Sequence, residues 1–185
     1  MVIAVKRDDK IVVGLSACDS FINMSEKDLS LMENLPFWKV KGTSDCYVFA
    51  EELSLSVDLL RYNDYIFKNI TDGNSIINNV VPKMKELLSK YSQVVDGKEW
   101  HNQMLIIKGN KLFTIGNYFT VSEADDFVAF SYEPYVIGGL SETCEKEISE
   151  SILFALRSLN RTRCKNLFPI MLFDYQTKKK KFYYR

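Results

Sequence analysis

The chain opens on the run VIAV, passes through KRDD and continues at once with IVVGL. Two runs rich in Val and Ile, separated by Asp8-Asp9, predict a hairpin over residues 2–6 and 11–16. Most domains begin with a frayed tail, whereas here the first residues are committed to a sheet. That commitment is the strongest constraint in the sequence, because any fold built on it must hold the amino end inside. It also raises a chemical question: a nucleophile on a first residue can use its own α-amine as base.

The periodicity then changes in blocks. Residues 18–34 are polar and mixed and read as a loop. FWKV and CYVFA form a second β pair around the turn-like cluster Gly42-Thr43-Ser44-Asp45. Helical spacing follows over 53–67, with Leu53, Val57 and Leu60 in one stripe, and over 74–91, with Ile76, Val80, Met84 and Leu87. Pro82 inside the second run is expected to kink it or mark its rim. MLIIKGNKLFTIG predicts a hairpin at Gly109-Asn110, and NYFTVSEADDFVAFS another pair of strands. A third helix is predicted over 142–159, with Glu142, Glu145 and Glu147 in its first turns and Ile148, Ile152, Ala155, Leu156 and Leu159 buried. FPIMLFDY and KKFYYR close the chain as two more strands. The order predicts an α+β fold with sheets stacked and helices outside.

Composition narrows the function classes. With 185 residues, 46% of them hydrophobic, the chain reads as a single domain over 1–185 that can bury about 70% of its unfolded surface. Lysine plus arginine and aspartate plus glutamate balance at 24 each, so no global field draws nucleic acid or an anionic membrane. Cys18, Cys46, Cys144 and Cys164 show no C-x-x-C spacing, and no leader or membrane span is expected; a reduced, cytoplasmic setting with free thiols follows. His101 is the only histidine, which removes a Ser-His-Asp set and a His-rich metal site. Neither a metal nor a cofactor is called for. The run of lysines at 178–181 beside Phe182 and Tyr183 could bind phosphates with aromatic stacking; between two strands it reads instead as a solvated hairpin turn.

The order of elements, with "VIAVKRDDKIVVGL" first, "CYVFA" running into "AEELSLSVDLL", and "DDFVAFSYEPYVIGGL" at 125–140, resembles the proteasome β-like branch of the N-terminal nucleophile (Ntn) hydrolases. That branch includes the bacterial peptidase that partners an ATP-dependent unfoldase. The resemblance spans Met1 to about Tyr184 and implies a four-layer αββα sandwich, usually assembled into rings. It also implies which positions should carry catalysis, and there this chain departs. Met1 stands at or just after the nucleophile, Ser16 at an aspartate, Pro36 at a lysine and Arg163 near a late acidic residue. Ser131 falls at the family serine, but its flanking glycines are replaced in FSYE. Gly42-Thr43, where family precursors would self-cleave, reads as a turn. The resemblance therefore implies a catalytically silent, proteasome-like protein acting as a homo-oligomer, dimer or ring, or through an unfoldase-type or other protein partner. The competing class is an Ntn-type peptidase or amidohydrolase using an unrecognised nucleophile such as Cys18; a nucleic-acid binder rests only on the lysine run.

Overall fold

The computed structural model describes residues 1–16, 35–130, 134–163 and 169–184. The chain divides into two compact units, Met1–Glu33 with Asp126–Arg185, and Asn34–Asp125.

The first unit is built on the opening hairpin. Strands β1 (Val2–Arg7) and β2 (Lys10–Ser16) pair antiparallel from Arg7↔Lys10 at the turn to Val2↔Leu15 at the open end. Asp8 takes a φ of 52° in that turn, a conformation aspartate tolerates better than most residues. Three further strands attach to the pair. They are β8 (Phe127–Ala129) on β1, β9 (Ile170–Asp174) on β2, and β10 (Lys180–Tyr183) outside β9, giving the order β10-β9-β2-β1-β8. The hairpin is therefore central, as its sequence predicts. Residues of both parities are buried along it, Val2 and Ala4 as well as Ile3 and Val5, and this explains the unbroken apolar run.

Two helices, α3 (Pro134–Glu142) and α4 (Ile148–Arg163), pack on one face of this sheet. Ile152, Leu156 and Leu159 of α4 meet Ile3, Val12 and Leu172. Gly14 makes room for α4: a Cβ there would lie 2.5 Å from Cγ2 of Ile152. The predicted helix over 142–159 is thus corrected. Glu142 ends α3, Glu145 and Glu147 lie in the connection, and α4 starts at Ile148. Gly138-Gly139 hid α3, since paired glycines disfavour a helix. Gly139 is kept because a Cβ would meet the Ala155 backbone at 2.9 Å.

The second unit holds a sheet of order β3-β4-β5-β6-β7, with β3 (Phe37–Lys39), β4 (Cys46–Ala50), β5 (Met104–Lys108), β6 (Lys111–Ile115) and β7 (Val121–Ala124). The strands expected from NYFTVSEADDFVAFS exist but do not pair with each other, because β7 joins β6 and β8 joins β1. Helix α1 (Leu55–Tyr62) is capped by Ser54, whose hydroxyl accepts from Val57 N–H at 3.4 Å. It continues as a 3-10 turn over Asp64–Phe67. Helix α2 begins at an Asp72–Ser75 capping box and runs through a π turn, Ile76–Val80, into Val81–Lys90. Pro82 offers no N–H and its ring crowds the carbonyl four residues back. The widened turn, in which Val81 N–H donates to Ile76 C=O, immediately precedes that proline. Val57, Leu60, Phe67, Val80 and Met84 pack on Val48 and Ile106 around buried Trp100, whose indole N–H donates to Gly116 C=O at 2.9 Å.

The Gly14–Ile152 approach is testable by a double-mutant cycle in urea. Gly14→Ala should cost about 1–3 kcal/mol by overpacking, and Ile152→Ala about 2–5 kcal/mol by leaving a cavity. Combined, they should cost less than their sum by about 1 kcal/mol or more, since each relieves the other. Simple additivity would remove the contact as the cause.

Candidate functional site

The register of the hairpin brings two of the sequence-selected positions together. Val2 pairs with Leu15, so Met1 faces Ser16, and Ser16 N–H donates to Met1 C=O at 3.1 Å. Met1 is half-buried against the cluster of Ile3 and Ile170, and Ser16 is buried. Ser16 is held from its other side by pairing with Ile170. From the opposite edge of β1, Phe130 N–H donates to Val2 C=O at 3.0 Å, which anchors the residue before Ser131 beside the amino end. Ser131 and Cys18 lie outside the described residues. Arg163 ends α4, and its side chain is outside them too. Pro36 belongs to the second unit, where its carbonyl accepts from Ala50 N–H at 2.7 Å; Lys39, the nearest following lysine, is exposed.

The other candidates resolve as local structure. Gly42 takes a φ of 78° and Thr43 donates from both N–H and Oγ1 to Val40 C=O, so Gly42-Thr43 is a turn. His101 is exposed just ahead of β5. Among the described residues no three His, Cys, Asp or Glu side chains gather as a metal site, and no helix is long and apolar enough to cross a membrane.

The far end of the hairpin, roughly 20 Å from Met1 along six residues of strand, carries features the sequence did not announce. Arg7 reaches the connection between α3 and α4, donating to the carbonyls of Thr143 and Lys146 and, at 3.1 Å, to Ser151 Oγ. Lys10 pairs with Glu147 at 2.9 Å. Beside them lies a cleft of about 510 Å³ lined by Val5, Phe127, Ile137, Leu140 and the exposed thiol of Cys144. These partners lie more than 130 positions from Arg7, and no local pattern signals them.

No protein-family model matches the chain, and no curated protein matches it. Solved structures do. Thiobacillus denitrificans BPH in complex with epoxomicin aligns with a TM-score of 0.69 at 17% identity, covering 94% of this chain and 96% of that one. Anbu from Pseudomonas aeruginosa, in a helical assembly, aligns at 0.64 and 13%, covering 100% and 86%. HslV from Trypanosoma brucei aligns at 0.56 and 9%, covering 92% and 97%. All three are proteasome-like Ntn-fold proteins. The chain has the proteasome-like fold. At these identities the likeness fixes the architecture and says nothing of the chemistry.

On this proteasome-like fold the described thiols differ sharply. Cys46 is buried in β4, and desolvation pushes its pKa up to about 12 although Lys108 pulls it down. Burial thus keeps it a protonated, unreactive thiol near neutral pH. Cys144 is exposed. With Cys18→Ala and Cys164→Ala in place, Ellman's reagent should titrate one thiol rapidly and the second only on unfolding. Two fast equivalents would contradict the burial of Cys46.

Proposed function

We propose that this chain is a catalytically silent proteasome-like protein, acting as one domain over 1–185 through self-assembly or a protein partner in the cytoplasm. The observation that supports the reading is the pairing of Met1 with Ser16, which sets side by side two positions where the family resemblance implies a nucleophile and an aspartate and this chain has neither. A thioether holds no proton for a base to remove and forms no acyl intermediate. Pro36 supplies no positive charge to steady an ionised nucleophile. The proposed degenerate positions are Met1, Ser16, Pro36, Ser131 and Arg163.

Assembly has its own support. Leu55, Tyr62 and Tyr65 are 56%, 82% and 57% exposed; a spacing of seven puts Leu55 and Tyr62 on one stripe of α1, and Tyr65 lies in the 3-10 turn that follows. A stripe of that kind suits a second copy better than water. The helical assembly of Pseudomonas aeruginosa Anbu is a precedent on the same fold. Sedimentation at micromolar concentration should give a dimer or larger, and Tyr62→Glu with Tyr65→Glu should shift it to the 21.4 kDa chain. A wild-type protein that stays monomeric would contradict the reading.

One observation favours the competing hydrolase: a similar structure, BPH, is seen with epoxomicin. A catalytically silent chain, by contrast, should show an unchanged intact mass after incubation with epoxomicin. A covalent adduct would support the hydrolase, and its loss with Cys18→Ala would name the nucleophile.

A further inference from the structure

We propose that Asp96 is a self-modifying site, at which Gly97 attacks the aspartyl side chain and the linkage is converted to an isoaspartyl one. The sequence holds two Asp-Gly pairs, Asp72-Gly73 and Asp96-Gly97. Glycine has no side chain to obstruct the approach of its own nitrogen. Both glycines are uncrowded, since a Cβ at either would meet nothing within 4 Å. The carboxylates decide between them. That of Asp72 is engaged: Oδ1 accepts from Ser75 N–H at 2.7 Å, and Ser75 Oγ in turn accepts from Asp72 N–H at 3.1 Å. That of Asp96 is exposed and has no hydrogen-bond or ion-pair partner among the described residues.

The backbone differs in the same direction. Asp96 and Gly97 take φ values of 50° and 68°, and Lys98 N–H donates to Val95 C=O at 3.0 Å, a turn with both central residues left-handed. Glycine adopts that conformation freely and aspartate at some cost. A single isolated bridge, Val95↔Glu99, closes the turn, and Gly97 N–H donates to no carbonyl among the described residues. Rotating Asp96 until its Cγ meets Gly97 N therefore opens one short turn. Asp72, by contrast, caps α2, and the same rotation would unseat the first turn of a helix.

In the reaction a bond forms between Gly97 N and Asp96 Cγ, the nitrogen loses its proton, and one carboxyl oxygen leaves as water. The product is a five-membered succinimide, and water then adds to either ring carbonyl. Opening at Cγ restores aspartate. Opening at the α-carbonyl routes the main chain through Cβ and leaves a free α-carboxylate. Water lost equals water regained, so the mass is unchanged and no oxidant or second substrate takes part. The change stays local, because Trp100 N–H donates to Asn117 C=O and its indole N–H to Gly116 C=O, both at 2.9 Å.

The test ages the full chain at 37 °C, folded and, in parallel, unfolded in guanidinium chloride, until the unfolded sample has converted half of either pair. Trypsin then releases residues 69–83 and 91–98, and chromatography with fragment-ion mass spectrometry separates isoaspartate from aspartate at equal mass. In the folded chain Asp96 should convert faster than Asp72 by about tenfold or more, because the Asp72 carboxylate must first leave a charge-assisted hydrogen bond. In the unfolded chain the two should convert at similar rates, which shows that structure and not sequence protects Asp72. Asp96→Glu keeps the charge but makes the ring six-membered, so 91–98 should remain one species. Folded Asp72 converting as fast as Asp96, no isoaspartate at position 96 of the folded chain, or a second species of equal mass that survives Asp96→Glu would overturn the proposal.

Discussion

The antiparallel pairing of β1 with β2 is the interaction on which the first unit depends. Each of the other strands in that sheet reaches the core by way of this pair, and Gly14 within it sets how closely α4 can approach. A slip of one residue would exchange the faces of every side chain on the strand. It would turn Ile3 and Val5 away from Ile152 and Leu156, and separate Met1 from Ser16. The Asp8-Asp9 turn and the ties from Arg7 and Lys10 to the α3–α4 connection hold that register at one end. The bond between Ser16 and Met1 closes it at the other.

Much of this was legible in the sequence, and for a physical reason. β1, β2, β4 and β5 are buried on both faces, so they appear as near-continuous apolar runs bounded by Asp-Asp, Gly-Thr and Gly-Asn turns. The buried stripes of α1, α2 and α4 obey helical spacing because each covers one face of a sheet. What escaped was decided by distant packing. Gly138-Gly139 looks like a helix breaker until Ala155 is seen against Gly139. The strands 121–124 and 127–129 are adjacent in sequence, yet each finds its partner elsewhere. The π turn ahead of Pro82 was not foreseen either, and Val80, Val81 and Met84 stay buried on either side of it.

The site divides the same way. The hairpin over 2–16 was legible, while the pairing of Met1 with Ser16 was not foreseen and comes from the register that the structure shows. The role of Arg7 was not legible, since its acceptors on the α3–α4 connection come from the other end of the chain. The identity of residue 1, by contrast, is a matter of covalent chemistry that a fold cannot alter. A proteasome-like backbone can position a side chain for attack, but a thioether has no proton for the α-amine to remove and gives no stable acyl intermediate. The proposal of assembly or binding rests on the proteasome-like architecture, which the solved structures share, together with the residue that the family resemblance sets at the nucleophile position.

Hydrolysis of fluorogenic peptides tests that reading most directly, with the unmodified protein run beside Met1→Thr combined with Pro36→Lys, the latter produced behind a cleavable leader so that threonine becomes the free terminus. The account predicts no turnover by the unmodified protein and little by the variant, because Ser16 and Arg163 also stand where the family resemblance implies acidic groups. Steady turnover by the unmodified protein, under conditions where its intact mass shows a single species, would contradict it.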